Sequence, residues 1–164
     1  MSQLDASYAR QSALLSTILK TIRGERRLTQ LELANAMGIA EKTYENFEAG
    51  RGRLNFDRIK RFAEATRSDA LAIVHGVMFE DPEIAYRAMD NKSSTILWLA
   101  HREFSEDVGD AVSLLPGTAV FEAFRQAFAA LKELLARRRN GAEHWLEQEI
   151  SRLYRGGERS SPED

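Results

Sequence analysis

Residues 30–50 constrain the fold more than any other part of the sequence, because their pattern predicts two short helices joined by a tight turn. Five large apolar residues of this stretch are spaced where two crossed helices must touch: Leu33, Met37, Ile39, Tyr44 and Phe47. Ala34 is small where the second helix passes, and Gly38 can adopt the left-handed conformation that ends the first helix. The rest of the second helix is polar, which suits a helix that enters the major groove of DNA.

Two strings of residues carry a resemblance to a known family. They are Leu28-Thr29-Gln30-x-x-Leu33-Ala34-x-x-Met37-Gly38-Ile39 and, after it, Thr43-x-x-x-Phe47-Glu48-x-Gly50. With this separation, residues 12–80 resemble the helix-turn-helix domain of the phage repressor, Cro and Xre-like regulators. Two positions depart from the family pattern. Ala40 stands where the family usually has a Ser or Thr cap, and Tyr44 replaces an aliphatic residue, which implies altered packing or a hydroxyl near the backbone.

The resemblance implies base-reading residues at the start and outer face of the second helix. They are Glu41, Lys42, Glu45 and Asn46. Lysine can donate to guanine, asparagine can bond adenine and glutamate can accept from cytosine. The alternative is a solvated face in which Glu41 and Glu45 form an i,i+4 pair. Glu48 is expected to order the following turn through hydrogen bonds rather than to contact DNA.

The distribution of charge favours DNA binding, although the net charge of the 164-residue chain is −2. Residues 1–80 carry 12 Lys and Arg against 10 Asp and Glu, whereas residues 81–164 carry 11 against 15. Basic residues flank the two motif helices on both sides, as phosphate contacts beside a groove require, although surface helices also carry Arg for solubility. The expected phosphate ligands are Gln30, Thr43, Arg51 and Arg53.

Helical periodicity continues along the chain, and no segment has a strand pattern. A first helix is expected from about Ser7 to Arg23, ended by Gly24, with Leu15, Ile18, Leu19 and Ile22 on its inner face. The expected caps of later helices are a Thr29–Glu32 capping box, Asn55, Ser68 and Asp81-Pro82. The expected inward residues are Phe56, Ile59 and Ala63 in the fourth helix and Leu71, Val74 and Met78 in the fifth.

The second half of the chain predicts three helices. The first starts near residues 93–95 and reaches about Asp107. The second is long, runs from about Thr118 to Arg139 and is expected to end at Asn140-Gly141. The last carries Trp145 and Leu146. The long helix has apolar residues spaced alternately three and four apart: Phe121, Phe124, Phe128, Leu131 and Leu135. This stripe predicts a dimer interface, and the alternative is a core within one chain.

The expected fold class is all-α. A five-helix helix-turn-helix domain spans residues 1–80, a helical dimerisation or regulatory domain spans 81–155, and a disordered tail spans 156–164. The absence of Cys from the sequence excludes disulfides, thiol catalysis and Cys-based zinc sites. Since no catalytic motif is present either, we expect no enzyme activity, no cofactor and no metal. The lack of a long apolar run or signal pattern indicates a cytoplasmic, nucleoid-associated protein without membrane contact.

The sequence therefore predicts a sequence-specific transcriptional regulator, a repressor rather than an activator, that binds double-stranded DNA at a near-palindromic operator as a homodimer. A protein partner at the C-terminal helices would fit the first alternative, an antitoxin that neutralises a toxin and represses its own operon. The second alternative is an interaction adaptor that has lost DNA binding.

Overall fold

A computed structural model describes residues 3–52 and 54–156, with side chains at 6–52, 54–141 and 143–148. All regular structure in these residues is helical, so the predicted all-α class is confirmed. A 3₁₀ helix at Gly109–Leu114 accompanies the α-helices, which are α1 Gln3–Glu25, α2 Gln30–Met37, α3 Glu41–Glu48, α4 Phe56–Thr66, α5 Ala70–Met78, α6 Pro82–Ala88, α7 Ser93–Val108 and α8 Gly117–Gly156. The chain divides into two compact units between Asp107 and Val108.

The local signals around α2 act as predicted. The Thr29 hydroxyl accepts a hydrogen bond from the Glu32 N–H at 3.2 Å, and the Glu32 carboxylate accepts one from the Thr29 N–H at 2.7 Å. Gly38 is left-handed with φ 66°, and the Ile39 N–H donates to the Ala34 carbonyl at 3.0 Å. These bonds satisfy polar groups at both ends of α2, so its boundaries follow from its own residues.

The core of the N-terminal unit is built by α1–α6, and the inner face expected for α1 is confirmed. The largest fully buried apolar side chains are Ile18, Leu19, Ile22, Leu33, Tyr44, Ile59, Phe62, Ile73 and Val77. α1 itself differs at its end, since it continues past Gly24 to Glu25 and the left-handed residue is Arg27.

The expected inner faces of α4 and α5 are partly wrong. Phe56 is the first residue of α4 and is 62% exposed, and Phe62 is buried instead. In α5 the buried residues are Ala72, Ile73, Gly76 and Val77, whereas Met78 is 55% exposed. Because α5 is apolar on nearly every side, periodicity alone does not fix which stripe faces inward.

Asp69, rather than the expected Ser68, caps α5. Its Oδ1 accepts from the N–H groups of Leu71 and Ala72 at 3.1 and 3.2 Å. Its Oδ2 accepts from the N–H groups of Ser94 and Thr95 at 2.9 and 3.1 Å, in the first turn of α7. This carboxylate is 1% exposed and therefore holds the starts of two helices together.

The N-terminal unit continues past the boundary expected at residue 80. Asp81 caps α6 through the Glu83 N–H, with Pro82 in the first turn, as predicted. Ala85 and Ala88 are buried at 1% and 2% exposure. The acidic stretch at 80–83 is therefore a turn inside this unit, because α6 contributes to the same core.

The C-terminal unit contains the 3₁₀ helix and α8. The helix end expected at Asn140-Gly141 is wrong, since α8 runs without a break from Gly117 to Gly156. A glycine costs a helix about 1 kcal/mol relative to alanine, and the Ala, Arg, Glu and Leu residues on both sides favour helix enough to offset it. Gly156 is the last described residue of α8, and the rest of the expected tail, 157–164, lies outside the described residues.

The missing cap of α3 leads to a stability prediction. Ala40 has the extended conformation of a cap residue, φ −65° and ψ 144°, but it supplies no side-chain hydrogen bond. We expect Ala40→Ser to raise the free energy of unfolding by about 1 kcal/mol, because serine can accept from an N–H of the first turn. Urea unfolding followed by circular dichroism measures this, with Thr29→Ala as the reference that removes an existing cap. An unchanged Ala40→Ser beside a destabilised Thr29→Ala would contradict it.

Candidate nucleic-acid interface

The helices α2 and α3 cross in contact, as their sequence predicted. Leu33, Ala34 and Met37 of α2 are buried against the core. In α3, the rings of Tyr44 and Phe47 meet edge to face at 6.3 Å. These contacts fix the inner side of α3 and leave its polar residues on the other side.

The predicted base-reading residues all lie on the outer side or the edge of α3. Glu41 and Lys42 are exposed, and Thr43, Glu45 and Asn46 are half-buried. Lys42 Nζ lies 2.7 Å from Glu45 Oε2, so Glu45 is paired with Lys42. The Arg51 guanidinium donates to Asn46 Oδ1 at 3.2 Å.

These two pairs determine what the surface can do chemically. An exposed ion pair contributes only about 0–1 kcal/mol to stability. Lys42 and Glu45 can therefore give up their ion pair for contacts with base edges at little cost. Among the described residues the N–H donors of the Asn46 amide have no partner, and its oxygen accepts from Arg51. The pairing also neutralises one of the acids that would otherwise repel phosphate.

A buried carboxylate fixes α3 against the two preceding helices. Glu48 is 1% exposed, and its Oε1 accepts from Arg23 Nε at 2.6 Å and from the Tyr44 hydroxyl at 2.9 Å. Its Oε2 accepts from Gln30 Nε2 at 2.5 Å. Glu48 is thus structural, as expected, but its partners come from three helices, and the Tyr44 hydroxyl reaches this carboxylate and not the backbone.

The ionisation of this cluster follows from its contacts. Burial alone would raise the pKa of Glu48, but the hydrogen bonds from Arg23, Gln30 and Tyr44 outweigh it and lower that pKa. Burial raises the pKa of the Tyr44 phenol, and the Glu48 charge adds to the effect. The hydrogen bond to Glu48 raises the pKa of Arg23. The cluster is therefore a carboxylate–guanidinium pair with a neutral phenol at physiological pH.

The structure gives the expected phosphate ligands different surroundings. Gln30 is half-buried, and its amide donates to Glu48 while retaining a second N–H and its carbonyl oxygen. Arg51 is exposed beside α3. Arg53 lies outside the described residues. Arg26, in the basic flank before α2, instead donates to the Thr66 carbonyl at 2.8 Å and to Asp90 at 2.7 Å.

The apolar stripe of α8 is largely uncovered. The exposed fractions are 70% for Phe121, 55% for Phe128, 54% for Leu131 and 68% for Leu135, and Phe124 is half-buried. None of the described helices is both long and apolar enough to cross a membrane. In the same part of the chain, no group of three or more His, Asp or Glu side chains is placed to hold a metal ion.

Comparison with known proteins agrees with this geometry. A family model described as Helix-turn-helix matches residues 19–71, about a third of the chain. Residues 19–71 therefore form a helix-turn-helix domain of the family typical of Xre- and Cro-type regulators, a DNA-binding domain of transcription regulation. No curated protein and no solved structure matches the chain at a significant level.

The Glu48 cluster leads to a prediction about acid stability. Because the folded pKa of Glu48 is lowered, its stabilisation is present above the unfolded pKa of about 4.3 and is lost as the pH falls through the folded pKa. Glu48→Gln should cost about 2–3 kcal/mol at neutral pH, since it leaves Arg23 without a charged partner. It should also weaken the dependence of the unfolding free energy on pH below about 4.3.

Urea unfolding at a series of pH values measures both effects. Glu64→Gln, the same change at an exposed position of α4, is the matched control. A Glu48→Gln protein whose stability varied with pH as the wild type does would contradict the role given to this carboxylate.

Proposed function

We propose that this protein is a transcriptional repressor that binds a near-palindromic operator as a homodimer, with α3 in the major groove of each half-site. The observation that carries the proposal is the two-sided character of α3: Tyr44 and Phe47 are buried on one side, and Lys42 and Asn46 are presented on the other. Repression is proposed rather than activation because occupancy of an operator is sufficient for it. In this proposal the protein is located in the cytoplasm, at the nucleoid.

In this proposal α3 reads bases through Glu41, Lys42, Glu45 and Asn46. Lys42 would donate to guanine O6 or N7, and Glu45, released from it, would accept from cytosine N4. The free donors of the Asn46 amide suit an acceptor on a base edge. Phosphates beside the groove would be held by Gln30, Thr43, Arg51 and Arg53.

Dimerisation is assigned to the stripe of α8, Phe121, Phe124, Phe128, Leu131 and Leu135. Burying each of these side chains contributes about 1.5–3 kcal/mol, so their exposure in one chain favours association. A single short helix reads few base pairs, and pairing two of them raises affinity and selects two half-sites about one helical turn apart.

The exposed residues of α7 favour a second candidate, an antitoxin whose C-terminal helices bind a toxin. Its Ile96, Leu97, Trp98 and Leu99 are between 40% and 57% exposed. Large apolar side chains exposed together on one helix suit a protein-binding site. A small toxin gene beside the gene of this protein, with a complex of the two products after coexpression, would support this candidate.

Loss of base contacts is the first test of the proposal. Chromatin immunoprecipitation with sequencing would identify bound fragments, and fluorescence anisotropy would then measure affinity for one of them and for a shuffled duplex. Lys42→Ala and Asn46→Ala should each remove about 1–3 kcal/mol of discrimination between the two duplexes. Lys20→Ala, an equal loss of charge at an exposed position of α1, is the matched control. If both α3 variants discriminated like the wild type, α3 would not be the reading helix.

Disruption of the α8 stripe is the second test. Phe128→Glu places a charge in the stripe and should yield a monomer by analytical ultracentrifugation with a steep loss of operator affinity, because two half-sites are no longer held by one particle. Gln126→Glu adds the same charge two residues away, on the opposite side of α8, and should remain dimeric. A Phe128→Glu protein that stayed dimeric would show that this stripe is not the dimer interface.

A further inference from the structure

We infer that a notch between α1 and the loop after α3 binds a backbone phosphate of DNA, with Tyr8, Gln11 and Arg58 as ligands beside Arg51. This inference rests on the DNA binding proposed above and adds α1 and α4 to the interface. Neither the motif nor the charge clusters of the sequence point to Tyr8 or Gln11, which lie outside residues 19–71.

The notch has a polar rim and an apolar floor. The polar residues that line it include Tyr8 and Gln11 of α1, Arg51 and Arg58. The apolar residues of its lining include the buried Leu15 and Phe47. Its volume of about 30 Å³ is far below the roughly 300 Å³ or more of a site for an organic ligand. Such a space is too small to enclose an organic ligand, so a ligand here must be a small group held at the rim.

A glycine makes this arrangement possible. Gly50 has φ +68°, and a Cβ at this position would overlap the carbonyl oxygen of Ser12 and lie 2.9 Å from its carbonyl carbon. α1 can therefore lie directly against the turn that follows α3. This close approach brings the side chains of Tyr8 and Gln11 next to Arg51, which follows Gly50 in the chain.

The charges of the notch are unbalanced in favour of an anion. Among the described side chains that line it there are two arginines and no carboxylate. Two nearby acids have other partners: Glu80 lies 3.5 Å from Arg10, and Asp57 lies 3.0 Å from Arg61. The phenol and the amide add neutral donors of the kind that often contact phosphate oxygens.

The position of the notch favours DNA as the source of the phosphate. Phe47 and Gly50, at the end of α3, form part of its lining, so a duplex that received α3 would bring its backbone close to the notch. Arg51 also donates to Asn46, which joins the notch to the base-reading side of α3. A phosphate held here would fix the register of the reading helix.

The test measures affinity against salt for the full-length protein, with the immunoprecipitated sequence and a shuffled duplex as probes. Arg58→Ala should lower the slope of log K against log salt by about 0.9, so that from 50 to 200 mM salt the wild type loses about 3.5-fold more affinity than the variant. Tyr8→Phe and Gln11→Ala should weaken both duplexes to a similar extent with little change in slope. Arg10→Ala, whose guanidinium pairs with Glu80, is the control of equal charge and should keep the wild-type slope.

The outcomes separate this inference from the proposed function. Suppose that the wild type binds both duplexes and that folded Arg58→Ala has the same salt slope and affinity as Arg10→Ala. This result would overturn phosphate binding by the notch and leave the proposed DNA binding intact. Inorganic phosphate that competes with DNA for the wild type but not for Arg58→Ala, at constant ionic strength, would support the notch, because both ligands must then occupy it. Inorganic phosphate that binds the wild type but not Arg58→Ala without displacing DNA would make the notch a free-anion site and overturn its assignment to DNA. A wild type that bound neither duplex would overturn both proposals.

Discussion

The buried carboxylate of Glu48 is the interaction on which the position of α3 depends. It accepts hydrogen bonds from Arg23 of α1, Gln30 of α2 and Tyr44 of α3, so three helices share one anionic centre. A buried charge of this kind is tolerated only when it is fully paired, and any movement of α3 that separated the partners would leave an uncompensated ion. The orientation of α3, and with it the outward side that carries Lys42 and Asn46, is therefore set from inside the domain.

Two other residues, Gly50 and Asp69, fix contacts between helices outside the Glu48 cluster. Gly50 allows the backbone of α1 to lie directly against the turn after α3, so α1 supports α3 at its end as Glu48 supports it from within. Asp69 accepts hydrogen bonds from the first turns of both α5 and α7 and thereby fixes where α7 begins on the N-terminal unit. In each case one small or charged residue fixes how two helices meet. Apolar packing is non-directional and would define their relative position less closely.

The sequence predicted those elements whose signals are local and agree with one another. The spacing in α2 and α3, the left-handed Gly38 and the capping box at Thr29 all indicate the same boundaries, and the structure confirms them. The failures have two causes: local signals that were ambiguous, as at Gly141 and along α5, and contacts that lie far away in the chain. Asp69 replaces Ser68 as a cap since it also serves α7, 25 and 26 residues later. Two partners of Glu48 are distant in the same way, Arg23 and Gln30, with Arg23 25 residues before it, and no spacing rule within α3 could identify them.

The composition of α8 limits where two copies could associate along it. The stripe from Phe121 to Leu135 is apolar and exposed, but three consecutive arginines follow it at 137–139. Arg137 and Arg139 form exposed pairs with Glu133 and Glu143 of the same helix, at 3.5 and 3.9 Å. In a parallel, in-register association the same arginines of two copies would lie side by side, and their repulsion opposes contact at that level. For a parallel association, the interface that we propose is accordingly confined to the first half of α8, and the second half of this unbroken helix, with Trp145 and Leu146 exposed, extends beyond that interface.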